Sequence, residues 1–355
     1  MNKNLISRTA LIVFLSAITL FSGCSKDYLE IMAVTGATPL AIREKVPQSL
    51  TLRVDGMVKK EYVFKSDSLN AFSSTRIRTR EVAKDGKFLG TYIYNGIPAY
   101  NILEGIAPEK PKTAAFDKPL DMLVVFTSST GKKSVFSYGE LIMTDDSLPV
   151  TLAFHRKQLL PTTDREKYDK NVYRENIKGL RLICPRESDD ARYLDDVVKI
   201  TLVVPKIDDS ILPSMKKGAK CESKTITCLY DGTEKKGSFE GVPVRKLNRI
   251  VRVGHGRGFK TISDVQGYGL KAFLDKNFPE FGESDYFLFV ACDGYRSILS
   301  AREIYGTRDG ESMIITNKID GKAPQGKYML MPSADYFVDR NVWGLSHILL
   351  IKQGE

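Results

Sequence analysis

The sequence predicts an α+β protein in which two related halves follow one another. Short β-branched runs alternate like strands, apolar spacings of helical period follow Gly-Ile-Pro and Gly-Val-Pro, and a set of landmarks recurs in the same order. With 355 residues the chain has room for about two domains of ordinary size. Its 42% hydrophobic and 27% charged residues exclude a disordered or collagen-like chain. The formal charge is +10, but it is spread thinly. There is no Lys/Arg block, zinc-finger spacing or RNA-binding aromatic motif, so nucleic acid is not an expected partner.

At the start, Lys3 and Arg8 precede an apolar run from Ala10 to Phe21, too short to span a bilayer, and Ser22-Gly23-Cys24 follows. This pattern resembles the lipobox of bacterial lipoproteins, which implies cleavage after residue 23 and lipidation of Cys24. Residues 24–46 then read as a tether, with a first domain expected over 47–206 and a second over 207–355.

Within the first half, Leu50 to Val54, Thr91 to Tyr94 and Lys199 to Val204 read as strands. Ala99 to Ile106 and, in the second half, Val244 to Val251 have spacings of short helices, with proline placed near the first turn. Ser263 to Phe273 is expected to add a further helix. The repeat matches Gly96-Ile97-Pro98 with Gly241-Val242-Pro243. It matches Leu123–Phe126, Gly131 and Glu140 with Phe287–Val290, Gly294 and Glu303. Finally, Gly179–Pro185 and Arg192 match Gly326–Pro332 and Arg340. Both arginines are expected to pair with nearby acids such as Asp195 and Asp339 near the surface, where ion pairs contribute little.

Beyond Cys24 the cysteines are Cys184, Cys221, Cys228 and Cys292. Cys221 and Cys228 are the nearest pair for a bridge, whereas Cys184 and Cys292 lie in apolar runs that suit buried thiols. No CxxC pair occurs and the histidines are scattered, which argues against zinc or c-type haem. The segment Gly254-His255-Gly256-Arg257-Gly258-Phe259-Lys260 alternates glycine with other residues. It reads either as an anion-binding loop, in which backbone N–H groups, Arg257 and Lys260 meet a phosphate or sulfate, or as a plain surface loop.

Phe239-Glu240-Gly241-Val242-Pro243-Val244 and Cys292-Asp293-Gly294-Tyr295, with Tyr94–Pro98 and Gly179–Pro185, resemble motifs of the sulfite oxidase family's molybdopterin-binding domain. The resemblance implies two tandem domains of that α+β type, with mixed sheets and short helices. In that family a cysteine thiolate ligates molybdenum, and Cys228, thirteen residues before Gly241, stands roughly where that ligand belongs. A core or bridged cysteine is the other reading of Cys228. Gly254, His255, Gly256, Arg257, Lys260 and Asp293 would then be cofactor-binding, although Asp293-Gly294 also reads as an ordinary turn.

The leader lacks paired arginines: Arg8 is followed by Thr9. It therefore resembles signals that thread unfolded chains, and a cofactor held by a folded site does not survive threading. The expected protein is a lipid-anchored, extracytoplasmic module without cofactor that binds an anionic ligand or an envelope partner. The alternative is a molybdenum-pterin oxidoreductase with the cofactor in the second half. Ser25 after Cys24 favours the outer membrane by the same resemblance. Neither a Gly-x-Ser-x-Gly elbow nor a Gly-x4-Gly-Lys-Ser/Thr loop is present, which argues against a hydrolase.

Overall fold

The computed structural model describes residues 45–144, 147–159, 174–214, 221–254 and 258–353. Nineteen strands form four sheets among them. Sheet I runs β2 (Tyr62–Lys65), β1 (Thr51–Gly56), β9 (Val197–Val203), β5 (Leu123–Ser128), β6 (Lys133–Ser137), and sheet II runs β3 (Thr75–Val82), β4 (Phe88–Pro98), β7 (Thr151–Gln158), β8 (Arg174–Ile183). Sheet III runs β11 (Thr233–Lys236), β10 (Thr227–Tyr230), β19 (Leu345–Ile351), β14 (Tyr286–Ala291), β15 (Arg296–Ser300). Sheet IV runs β12 (Val244–Val253), β13 (Phe259–Gly269), β16 (Ile314–Ile319), β17 (Met329–Met331), β18 (Val342–Trp343).

The class is therefore mostly β, and the α+β expectation, with its tandem sulfite-oxidase-like domains, is corrected. The five α-helices among the described residues are short: α1 (Ser66–Leu69), α2 (Ala99–Gly105), α3 (Tyr138–Ile142), α4 (Leu270–Asn277) and α5 (Ala301–Tyr305). Val244 to Val251, expected as a helix, is strand β12. A bulge between Leu247 and Ile250, with Arg249 at φ +56°, puts residues three apart on one face of a strand and so imitates a helical spacing. Ser263 to Phe273 likewise belongs mostly to β13, and only its last residues enter α4.

Strand order in sheet I is the same as in sheet III, each with one parallel pair, β1 with β9 and β10 with β19. This correspondence moves one landmark. Gly241 precedes β12, so the position matching Gly96 is Gly267, since each stands at a bulge in the second strand of its sheet, II or IV. A Cβ on Gly96 would lie 2.6 Å from the Leu152 carbonyl oxygen, and one on Gly267 2.4 Å from that of Ile315. Only glycine admits so close an approach.

Alternation along the strands sorts the core. Val124 and Phe126 join Leu152, Leu182 and Ile102 between sheets I and II, and Phe287 and Phe289 join Ile315, Leu330 and Phe273 between sheets III and IV. The intervening residues face the other half: Leu123 meets Leu288, Val290 and Ile298 in a third cluster between sheets I and III. Strand β14 is thus buried on both faces, which explains its unbroken apolar run.

A buried ionic network closes the seam between the halves. Ser137 and Ser300 cap α3 and α5 by accepting the backbone N–H of Glu140 and Glu303. Arg192 donates to both oxygens of Glu140 (2.5 and 2.9 Å) and to Glu187 (2.5 Å), while Arg302 of the second half also reaches Glu187 at 2.9 Å. Arg340, fully buried, donates to Glu303 (2.5 Å) and with two nitrogens to Asp335 (2.7 and 2.6 Å). Ser137 donates to Glu303 across the seam at 2.9 Å, and Arg296 reaches Asp121 at 2.8 Å. Gly139 makes room, because a Cβ there would stand 2.1 Å from Arg340 Cδ. Arg192 and Arg340 are therefore interior residues held by Glu140, Glu187, Glu303 and Asp335, not surface partners of Asp195 and Asp339.

Arg340 faces two carboxylates, and burial pushes Glu303 up to about 7, against the pull of Arg340. The native state then keeps a proton on Glu303 that the unfolded chain has released above its ordinary 4.5, so stability falls as pH rises from about 4.5 to about 7. Asp335, Glu187 and Asp121 are raised by burial as well and act in the same sense. Thermal unfolding followed across this window is expected to show Tm falling with pH, with a shallower slope in Glu303→Gln. Arg340→Ala, which leaves two buried carboxylates without their cation, is expected to cost about 3–5 kcal/mol in urea unfolding.

Candidate functional site

Strand β10 places Cys228 beside Ile348 of β19, on the face that joins Phe273 and Phe287 in the second-half core. The side chain is fully buried, and burial pushes the thiol up to about 12. Asp293 lies in the turn after β14, where its carboxylate accepts the Tyr295 N–H at 3.0 Å and Gly294 takes φ +83°. Gly254 is at the end of β12 in a different sheet. His255, Gly256 and Arg257 lie outside the described residues, as do the Lys260 side chain and Cys24.

Of these groups the described ones, Cys228, Gly254 and Asp293, lie apart: in the core, at the end of β12 and in the turn after β14. None of Cys228, Gly254 and Asp293 lines any of three cavities among the described residues, which hold no cluster of three His, Cys, Asp or Glu able to take a metal. A protonated thiol packed among phenylalanines does not fit the role of a soft metal ligand, which requires an accessible thiolate. Cys292, expected as a buried thiol, instead bridges to Cys221 with 5.7 Å between the Cα atoms. The nearest pair in sequence was not the bonded one, because Cys228 points into the core while the segment bearing Cys221 crosses the end of sheet III beside Gly344.

The largest of the three cavities, about 640 Å³, lies in the first half. Its walls come from the β5–β6 turn (Ser128, Ser129, Thr130, Lys132), from Arg156 of β7, Lys178 and Arg181 of β8, and from Tyr193 to Asp196 before β9. Four cations face two carboxylates there. Arg181 donates to Asp195 at 2.6 Å and more weakly to Glu81 at 3.4 Å, with its guanidinium carbon 5.7 Å from the Tyr193 ring centroid. Glu81 is fixed from behind by the Tyr94 hydroxyl at 2.6 Å and by Thr79 at 3.2 Å. The Arg181 Nε is buried without a hydrogen-bond partner. Arg156 lies over the Tyr92 ring at 4.9 Å.

This cleft escaped the sequence reading, in which Arg181 served only as part of a landmark. The signal was the charge on neighbouring strands, with Arg156 on β7 and Lys178 and Arg181 on β8. It becomes legible only when β7 is known to pair with β8 and the turn before β9 is known to close over them.

No family model matches the chain, and no curated protein matches it. Among solved structures it shows a weak likeness to the sulfane dehydrogenase SoxCD from Paracoccus pantotrophus, with 16% identity and a TM-score of 0.32. The match covers 79% of this chain and 63% of that one, so the present chain spans less than two thirds of its length.

Under native, non-reducing conditions, Cys184 and Cys228 are expected to resist alkylation until the protein unfolds, as mass spectrometry of labelled peptides would show. Cys221→Ser, which opens a bridge spanning 71 residues, is expected to cost about 2–4 kcal/mol in denaturant unfolding.

Proposed function

We propose that this chain is an exported, lipid-anchored protein without a catalytic metal that binds a small anionic ligand in the cleft at Arg181. The observation that carries the reading is the gathering of Lys132, Arg156, Lys178 and Arg181 on the walls of one roomy cavity. An oxyanion there supplies acceptors and compensating charge for these four cations, which two carboxylates of the wall, Asp195 and Asp196, do not balance. Glu81, Tyr94 and Asp195 hold the guanidinium in place, so binding requires little reordering.

Export is supported by the leader and Ser22-Gly23-Cys24, with the outer membrane as the proposed destination, and by a disulfide that suits an oxidising compartment. The absence of metal is supported by the burial of the Cys228 thiol. No helix among the described residues is long and apolar enough to cross a membrane. The anion-binding loop at Gly254–Lys260 stays a secondary proposal, since most of it lies outside the described residues.

Calorimetric titration of the purified protein with inorganic phosphate, pyrophosphate and sulfate tests the reading. At least one is expected to bind, and Arg181→Gln and Lys178→Gln are each expected to weaken it about tenfold. Undiminished binding in both variants would overturn the cleft assignment. Stoichiometric molybdenum in protein isolated from its native envelope would overturn the metal-free one.

A further inference from the structure

The β12–β13 hairpin has two unlike faces. On one, Leu247, Ile250 and Val265 pack with Trp343 in a small core, and the Arg252 guanidinium lies 5.2 Å from the Trp343 ring centroid. On the other, Val251 stands opposite Ile262 and Val253 opposite Phe259. Val251, Ile262 and Phe259 are 56, 45 and 65% exposed. An antiparallel hairpin with one packed face ordinarily puts polar side chains on the other, so an exposed apolar cluster there marks a contact surface.

Charge identifies the kind of partner. The two strands carry Arg245, Lys246, Arg249, Arg252 and Lys260 against Asp264 alone. Arg245 is paired with Glu311 and Arg252 is buried, while Lys246 and Arg249 are exposed. Lys246 neighbours the inward-facing Leu247 along the strand and so shares the solvent side with Val251. Two copies of a basic face repel each other, the more so in a chain of formal charge +10, which disfavours self-association and favours an anionic occupant. Aliphatic side chains and one phenylalanine beside cations match the boundary between lipid headgroups and acyl chains; nucleic acid would use stacking aromatics instead.

We propose that this face of the hairpin rests on an anionic phospholipid surface. Val251, Phe259 and Ile262 enter the headgroup region, and Lys246 and Arg249 meet lipid phosphates. The contact is separate from the Arg181 cleft and does not depend on acylation of Cys24.

The test places a tryptophan at the contact, as Phe259→Trp in the full-length chain. Vesicles of phosphatidylcholine mixed with phosphatidylglycerol are expected to shift its emission to the blue, and brominated acyl chains are expected to quench it. Vesicles of phosphatidylcholine alone are expected to do neither. Adding Val251→Ser and Ile262→Ser, both on the solvent face, is expected to weaken the partitioning reported by this probe about tenfold or more. Removing the charge of Lys246 or Arg249 is expected to weaken it about fivefold each. Trp343, the chain's one tryptophan, emits as well, so the signal of residue 259 is taken as the difference from the parent chain, and membrane attachment elsewhere on the chain does not mimic that difference. An emission indifferent to anionic vesicles would overturn the proposal. So would an equal response to neutral ones, or a blue shift that follows protein concentration without lipid, which would assign the face to a second copy.

Discussion

Arg340 has no exposed surface, and the seam of the molecule is arranged around it. A guanidinium taken out of water is tolerable only when carboxylates surround it in good geometry, and Glu303 and Asp335 occupy three of its nitrogens at 2.5 to 2.7 Å. Those carboxylates must be held in turn. The Ser300 cap orients the first turn of α5, Ser137 of the other half donates to Glu303, and Gly139 leaves the space in which the Arg340 stem lies. Arg192 with Glu140 and Glu187 is the counterpart in the first half, and Arg302 ties Glu187 to the second. Apolar contact between sheets I and III supplies attraction without direction, whereas the ion network admits one register of the halves.

That rigidity shapes what the rest of the molecule can do. The cysteine most suggestive in sequence is committed to the second-half core, and the bridge joins two other cysteines at the end of sheet III. The roomiest of the three cavities lies away from the seam, where the turns preceding β6 and β9 approach β7 and β8. There Arg181 keeps a donor unused while carboxylates on two sides fix its orientation.

Composition and strands with strict alternation were legible from residues alone. Leu50 to Val54, Thr91 to Tyr94 and Lys199 to Val204 fall in β1, β4 and β9, apart from a residue at either end, because a half-buried strand writes its period of two into the chain. The pairing of Glu140 with Glu303 and of Arg192 with Arg340 across the repeat was visible too, though as spacing without a role. Hidden from the sequence were the bulge that made β12 look helical, the bridge from Cys221 to Cys292, and the burial of the two arginines. Each of these depends on which segments become neighbours, and a local pattern does not record its partner, which for Cys221 stands 71 residues away. Periodicity says which face of an element is apolar; packing across the seam settles what that face meets and whether a charged side chain ends in water or in the core.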